Sequence, residues 1–249
     1  SGHVVLRSVN SGTSGASGHL SFSSGCSAEG NSGALLLGSG AATGGRGGNV
    51  CIAVGSGTSG AGGHLSFGSG KGTVATGGLI CLKSGEGTAT SSGVIIVKTA
   101  NAGAAGSTGR LFFSSGSSKD GNSGAIMIGT GAATGGRGGG INFAVGSGTS
   151  GSGGAITLMA GRSTYASGGR VVICSGEGTQ ASSGAIIFVT ANAGVSGSSG
   201  RLVFSSGSAN GGNSGAILIG SGTATGGSGG LVSISAGSGT SGIGGAVYI

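Results

Sequence analysis

Proline and tryptophan are absent from this 249-residue chain, and only four acidic residues and three histidines are present. Each shortage excludes something. Without Pro, and without Gly at every third position, the chain cannot be a collagen triple helix. So few carboxylates and imidazoles leave little for proton transfer or metal ligation, so no enzyme, cofactor or metal site is expected. No apolar run is long enough to cross a membrane, no Asn-x-Ser/Thr sequon occurs, and no secretory signal is recognisable. Helical bundles are excluded by the 68 glycines, because each costs roughly 1 kcal/mol relative to Ala inside a helix. A flexible Gly/Ser linker would suit that count, but 36% of the residues are hydrophobic. Their order shows why.

Apolar runs recur in register. Segments begin at His3, His19, Ala34, Asn49, His64, Leu79, Val94, Arg110, Ala125, Gly140, Ala155, Arg170, Ala185, Arg201, Ala216, Leu231 and Ala246. The common step is the one from Ala34 to Asn49 or from Asn49 to His64, fifteen positions each. Three segments, 3–18, 94–109 and 185–200, are longer by one. Position two is always aliphatic, as in Val4, Leu20, Leu35 and Ile126, and position four is aliphatic or Phe, as in Leu6, Phe22, Leu37 and Ile128. Every complete segment ends in Gly. A longer period lies above this one: Glu86 returns as Glu177, Arg46 as Arg137, and Asn101 as Asn192, a shift of ninety-one positions in each case. The chain therefore reads as one continuous array over 1–249, with super-repeats over about 3–93, 94–184 and a partial 185–249. Its lack of an initial Met is expected of a piece of a longer array.

Alternation at positions two and four puts both side chains on one face of a strand. Fifteen residues suit one turn of a stacked coil. The expected fold class is all-β, a single-chain β-solenoid (parallel β-helix) with 15–16-residue coils. Seventeen such coils would span roughly 75–80 Å at the inter-strand spacing. The second half of the segment, small and Thr-bearing as in Ser221 to Thr225, is expected to return as a second short strand. The glycines closing each segment are expected to supply positive φ at the corners. Pro is missing because a stacked coil uses nearly every N–H.

Position three should face outward, yet it carries Val5, Leu36, Ile96, Phe112, Met127, Val172, Ile187, Val203, Leu218 and Tyr248. Packing of this face within the chain is one reading. The other is an assembly face between copies, because a long exposed apolar stripe marks an interaction surface. Unpaired coil ends would add head-to-tail growth. The expected partner is thus the chain itself, end to end and laterally.

Thr at position ten recurs in consecutive segments as Thr43, Thr58, Thr73 and Thr88, then Thr134, Thr149, Thr164 and Thr179. Such a ladder resembles the ice-binding face of insect antifreeze proteins, although paired Thr-x-Thr is sporadic here, as in Thr88 and Thr90. A β-branched residue filling a strand position is the simpler reading. The net charge of +7 comes from basic residues scattered over distant segments, such as Arg7, Arg46, Lys71, Lys83, Lys98 and Arg110. That pattern lacks the basic-aromatic clustering of a nucleic-acid binder. It leaves room for an acidic polysaccharide, and the many Ser and Thr for O-linked glycans. Cys26, Cys51, Cys81 and Cys174 have no zinc-finger spacing, and none is kept from one super-repeat to the next. Cys51 and Cys81 share position three but would lie two coils apart, about 9–10 Å, too far for a bond within the chain. They are the candidates for a disulfide between chains. His3 and His19 fall in adjacent segments, which by itself is no metal site.

The stretch GAATGGRGGNVCIAVGSGTSGAGGHLSFGSG from Gly40, with GEGTATSSG from Gly85 and TANAG from Thr99, resembles Gly/Ser-rich repeat proteins of stramenopiles such as diatoms and oomycetes. The resemblance covers the whole chain and implies a secreted or cell-surface structural protein, such as the shaft of a flagellar hair or wall fibre. It carries no catalytic residues. The expected function is an extracellular filament or coat. The alternative is a binding module, either an adhesin or fibre shaft or an ice-binding solenoid.

Overall fold

In the computed structural model, which describes residues 2–248, the chain is coil-like: no helix and no strand occurs among the described residues. The expected all-β class, and with it the single-chain β-solenoid, is not formed. A solenoid bonds each coil to the next, one full segment along the chain, and a folded domain carries about one hydrogen bond per residue. Here nine backbone–backbone bonds occur among the described residues, and each stays inside its own segment.

Those bonds explain the difference. In segments 49–63, 64–78 and 79–93 the closing glycine donates to the carbonyl at position seven: Gly63 to Gly55 at 3.1 Å, Gly78 to Gly70 at 2.9 Å, and Gly93 to Gly85 at 2.9 Å. The same closure recurs one super-repeat on, in Gly154 to Gly146, Gly169 to Gly161 and Gly184 to Gly176. The second half of a segment therefore closes on itself as a loop from position seven to the closing glycine. It does not continue as a second strand, and no backbone bond among the described residues reaches the neighbouring segment.

The bend of each loop sits at positions ten to twelve, at 43–45, 58–60, 73–75 and 88–90, and again at 134–136, 149–151, 164–166 and 179–181. The recurrent Thr opens this bend, a turn position that suits a short hydroxyl side chain. It fills no strand, and with no strand among the described residues there is no flat Thr face.

Closing glycines serve a different purpose from the one expected. Positive φ occurs only at Gly15 and Gly211 among the described residues. At the segment ends the requirement is space. A Cβ on Gly48 would lie 3.2 Å from Ser39 Cβ, and one on Gly230 would lie 3.1 Å from Ser221 Cβ. Position six and the closing residue are thus in close contact, tighter at these two ends than at Gly33 or Gly215, where the separations are 3.5 and 3.6 Å.

No residue is buried among those described. Ser8, Ser84, Gly87, Gly178 and Thr190 are half-buried and the rest are exposed. The accessible surface is 24338 Å². A folded chain of 22.4 kDa would show about 9,400 Å², and an unfolded one about 32,000 Å². The chain is much nearer the unfolded figure. Two halves are distinguished by their contacts, Ser1–Ile126 and Met127–Ile249, and the division falls inside the apolar run that begins at Ala125.

Candidate interaction surface

Where a loop closes, the apolar run at positions two to four is left as the part free to meet something else. The runs keep a trace of alternation. Met127 is 92% exposed, against 54% for Ile126 and 67% for Ile128 on either side. Leu36 and Leu218 stand out in the same way. Position three is the most outward of each of these triplets, but positions two and four are also open to solvent. The expected assembly-face residues Leu36, Ile96, Phe112, Met127, Val172, Ile187, Val203, Leu218 and Tyr248 are all exposed. They share that exposure with the residues expected to form a core.

Position-four side chains of successive segments gather on one side. Leu6 and Phe22 line an open apolar recess of about 430 Å³ with Leu35, Leu36 and Leu37 of the next segment. In the second half, Phe188 and Phe204 meet edge to face with ring centroids 6.3 Å apart. Such a ring pair is worth about 0.5–1.5 kcal/mol beyond its area. That is small against the cost of ordering the chain.

The loops add apolar groups that the segment pattern did not single out. Val74, Tyr165, Val195 and Ile243 are fully exposed on the loops. A signal for two of them was present, since Val74 and Tyr165 occupy one position of the super-repeat.

All four cysteines are exposed and free. Cys51 and Cys81 are thus accessible, as a bond between chains requires. Among the described residues no group of three His, Cys, Asp or Glu is placed to hold a metal ion. No helix among them is long and apolar enough to cross a membrane. Lys83 and Glu86 line a shallow open recess with Ser84, Gly85 and Ser92, all from one segment. No catalytic arrangement emerges from it. No protein family matches the chain, and no curated protein or solved structure is significantly similar to it.

Proposed function

We propose that the chain is a structural protein that polymerises with copies of itself into an extracellular filament or coat. The observation that carries this reading is the accessible surface of 24338 Å², with no buried residue among those described. Relative to a folded chain of the same mass the excess is about 15,000 Å². A standard dimer contact covers only about 800 Å² per partner. A dimer removes a small fraction of that excess, whereas a polymer with neighbours on several sides can remove most of it. Burial of Val, Leu, Ile and Phe side chains between copies then supplies the driving force, at about 1.5–3 kcal/mol each.

The repeat supports the same partner. An array in which each segment presents an equivalent apolar run is matched, run for run, by another copy of itself. The resemblance to Gly/Ser-rich stramenopile fibre proteins supports the extracellular placement. Scarcity of carboxylates and imidazoles supports a non-catalytic role.

Sedimentation and electron microscopy of the purified chain test the assembly. Filaments or sheets should appear above a critical concentration, and the free chain concentration should then stay constant. Dispersed monomers at millimolar concentration overturn the reading. Antibody labelling of intact cells tests placement: labelling only after permeabilisation removes the extracellular part.

A further inference from the structure

Segments of one super-repeat differ in length and in their local hydrogen bonds. The first segment carries one residue more than the others. In its second and third occurrences the closure is a tight turn, Gly106 N–H to Gly103 and Gly197 N–H to Gly194, each at 3.3 Å. The second segment uses a serine: Gly30 N–H donates to Ser27 Oγ, and Gly121 N–H to Ser118 Oγ, each at 3.0 Å. In the third segment a hydroxyl at position six donates to the closing carbonyl, Ser39 to Gly48 at 2.8 Å and Thr130 to Gly139 at 3.0 Å. The fourth, fifth and sixth close by the backbone bond described above. The backbone closure of the fourth segment occurs in all three super-repeats and those of the fifth and sixth in both complete ones, while the fifth also carries the serine turn of the second, Ala166 N–H to Ser163 Oγ at 2.9 Å.

The additional residue of the first segment is taken up in its loop. Thr99 at position six still meets the closing Gly109, within 3.4 Å of where a Cβ would stand, and Thr190 meets Gly200 within 3.5 Å. The apolar runs on both sides keep their phase within one chain. Between two chains the same residue has a different effect. If a copy lies alongside, staggered by one ordinary segment, the run at Val94 falls opposite Gly109, one residue out of phase. Ile95 then faces Arg110, and every side chain of that run points to the wrong side. A stagger of two segments puts two runs per super-repeat out of phase and one of three puts three; four and five segments, counted through the longer one, put two and one out of phase, and only at a full super-repeat do all runs return to register. Charge pairing offers weak opposition. A stagger of one segment would set Lys71 against Glu86 and Arg162 against Glu177, but exposed ion pairs contribute little.

We infer that the longer segments 3–18, 94–109 and 185–200 are register keys, which confine contact between copies of this chain to staggers of zero or of whole super-repeats. The inference rests on the self-association proposed above. It goes further by naming which residues of one copy lie against which residues of the next.

The exposed thiols report the register. At zero stagger each cysteine lies opposite itself in the neighbouring copy. At a stagger of one super-repeat, Cys26 lies against Ser117 and Cys51 against Asn142. A bond between Cys51 and Cys81 would report a stagger of two ordinary segments. The full chain, mixed with an isotope-labelled copy so that bonds between chains are identified, is assembled, oxidised and mapped by mass spectrometry. Bonds of Cys26 to Cys26, Cys51 to Cys51, Cys81 to Cys81 and Cys174 to Cys174 are expected. In the Ser117→Cys, Asn142→Cys variant, links from Cys26 to position 117 and from Cys51 to position 142 are the second expected set. Interchain Cys51–Cys81 bonds as abundant as the like-with-like bonds overturn the inference while leaving self-association intact.

Deletion of Ala104 supplies an independent measurement, since it removes the additional residue of one key. The shortened chain should assemble on its own and be incorporated into wild-type assemblies at least tenfold less well than the wild-type chain. Equal incorporation overturns the register role. A wild-type chain that never assembles overturns the proposed function, and this inference with it.

Discussion

Gly57 shows what a single position demands of this chain. A Cβ there would lie 2.5 Å from the Gly60 carbonyl oxygen and 2.8 Å from that of Ala61. Gly148 and Gly239, at the same position of later segments, would meet their loops with equal severity, 2.6 Å from the carbonyl oxygens of Gly151 and Gly242. Gly60 has open space around its Cβ position. Gly57→Ala should therefore open the loop by about 1–3 kcal/mol, the usual cost of overpacking, whereas Gly60→Ala should leave it closed. Amide exchange at Gly63, whose N–H is bonded to Gly55, reads the difference, with acceleration expected in the first variant alone. Ser39→Ala removes one exposed hydrogen bond to Gly48. Its effect should stay below about 1 kcal/mol, measured as exchange in the same loop. The periodic glycines were legible in the sequence, but their reason was not. A repeat shows that a side chain is excluded, and only coordinates show whether φ or space excludes it.

At the scale of the segment, alternation predicts an inner and an outer side. The triplet Ile126, Met127 and Ile128 keeps that alternation in its direction but not in its burial. Within one chain the inner side meets only its neighbours in successive segments, as Phe188 meets Phe204, and none of the described residues is buried by it. It follows that position-two and position-three substitutions should act alike, on association and not on the conformation of the monomer. Phe112→Ser and Ile95→Ser should each raise the critical concentration about 10- to 100-fold, the range set by burying a large apolar side chain. Sedimentation of the two variants checks this. A change confined to Phe112→Ser would mean that position three alone is covered in the assembly. The Thr of position ten was legible as a recurring residue. Its place at the opening of a bend was not, because Thr serves strands and turns equally well in an unaided sequence.

For the whole molecule, charge works against burial. Every copy brings a net +7 to the assembly, and at a stagger of zero or of one super-repeat like charges are superposed, as with Arg46 and Arg137. Two like charges about 5 Å apart in water repel by roughly 1 kcal/mol. Salt screens this, with a Debye length of about 30 Å at 0.01 M and about 8 Å at 0.15 M. The critical concentration should therefore fall as ionic strength rises over that range. Light scattering against added NaCl measures it, and a rise with salt would mean that opposite charges, not apolar runs, hold the copies together.

By itself the sequence determined the repeat, its two segment lengths, the super-repeat above them and the scarcity of catalytic side chains, because these are facts of order and composition. Only the tertiary structure decided that successive segments do not stack into a coil. The bonds show it: Gly63, Gly78 and Gly93 donate to the carbonyls of Gly55, Gly70 and Gly85 in their own segments, and among the described residues no backbone bond joins one segment to the next. A repeat specifies which surfaces are equivalent. It leaves open whether they meet within one chain or between chains, and these loops leave the apolar runs of the single chain uncovered.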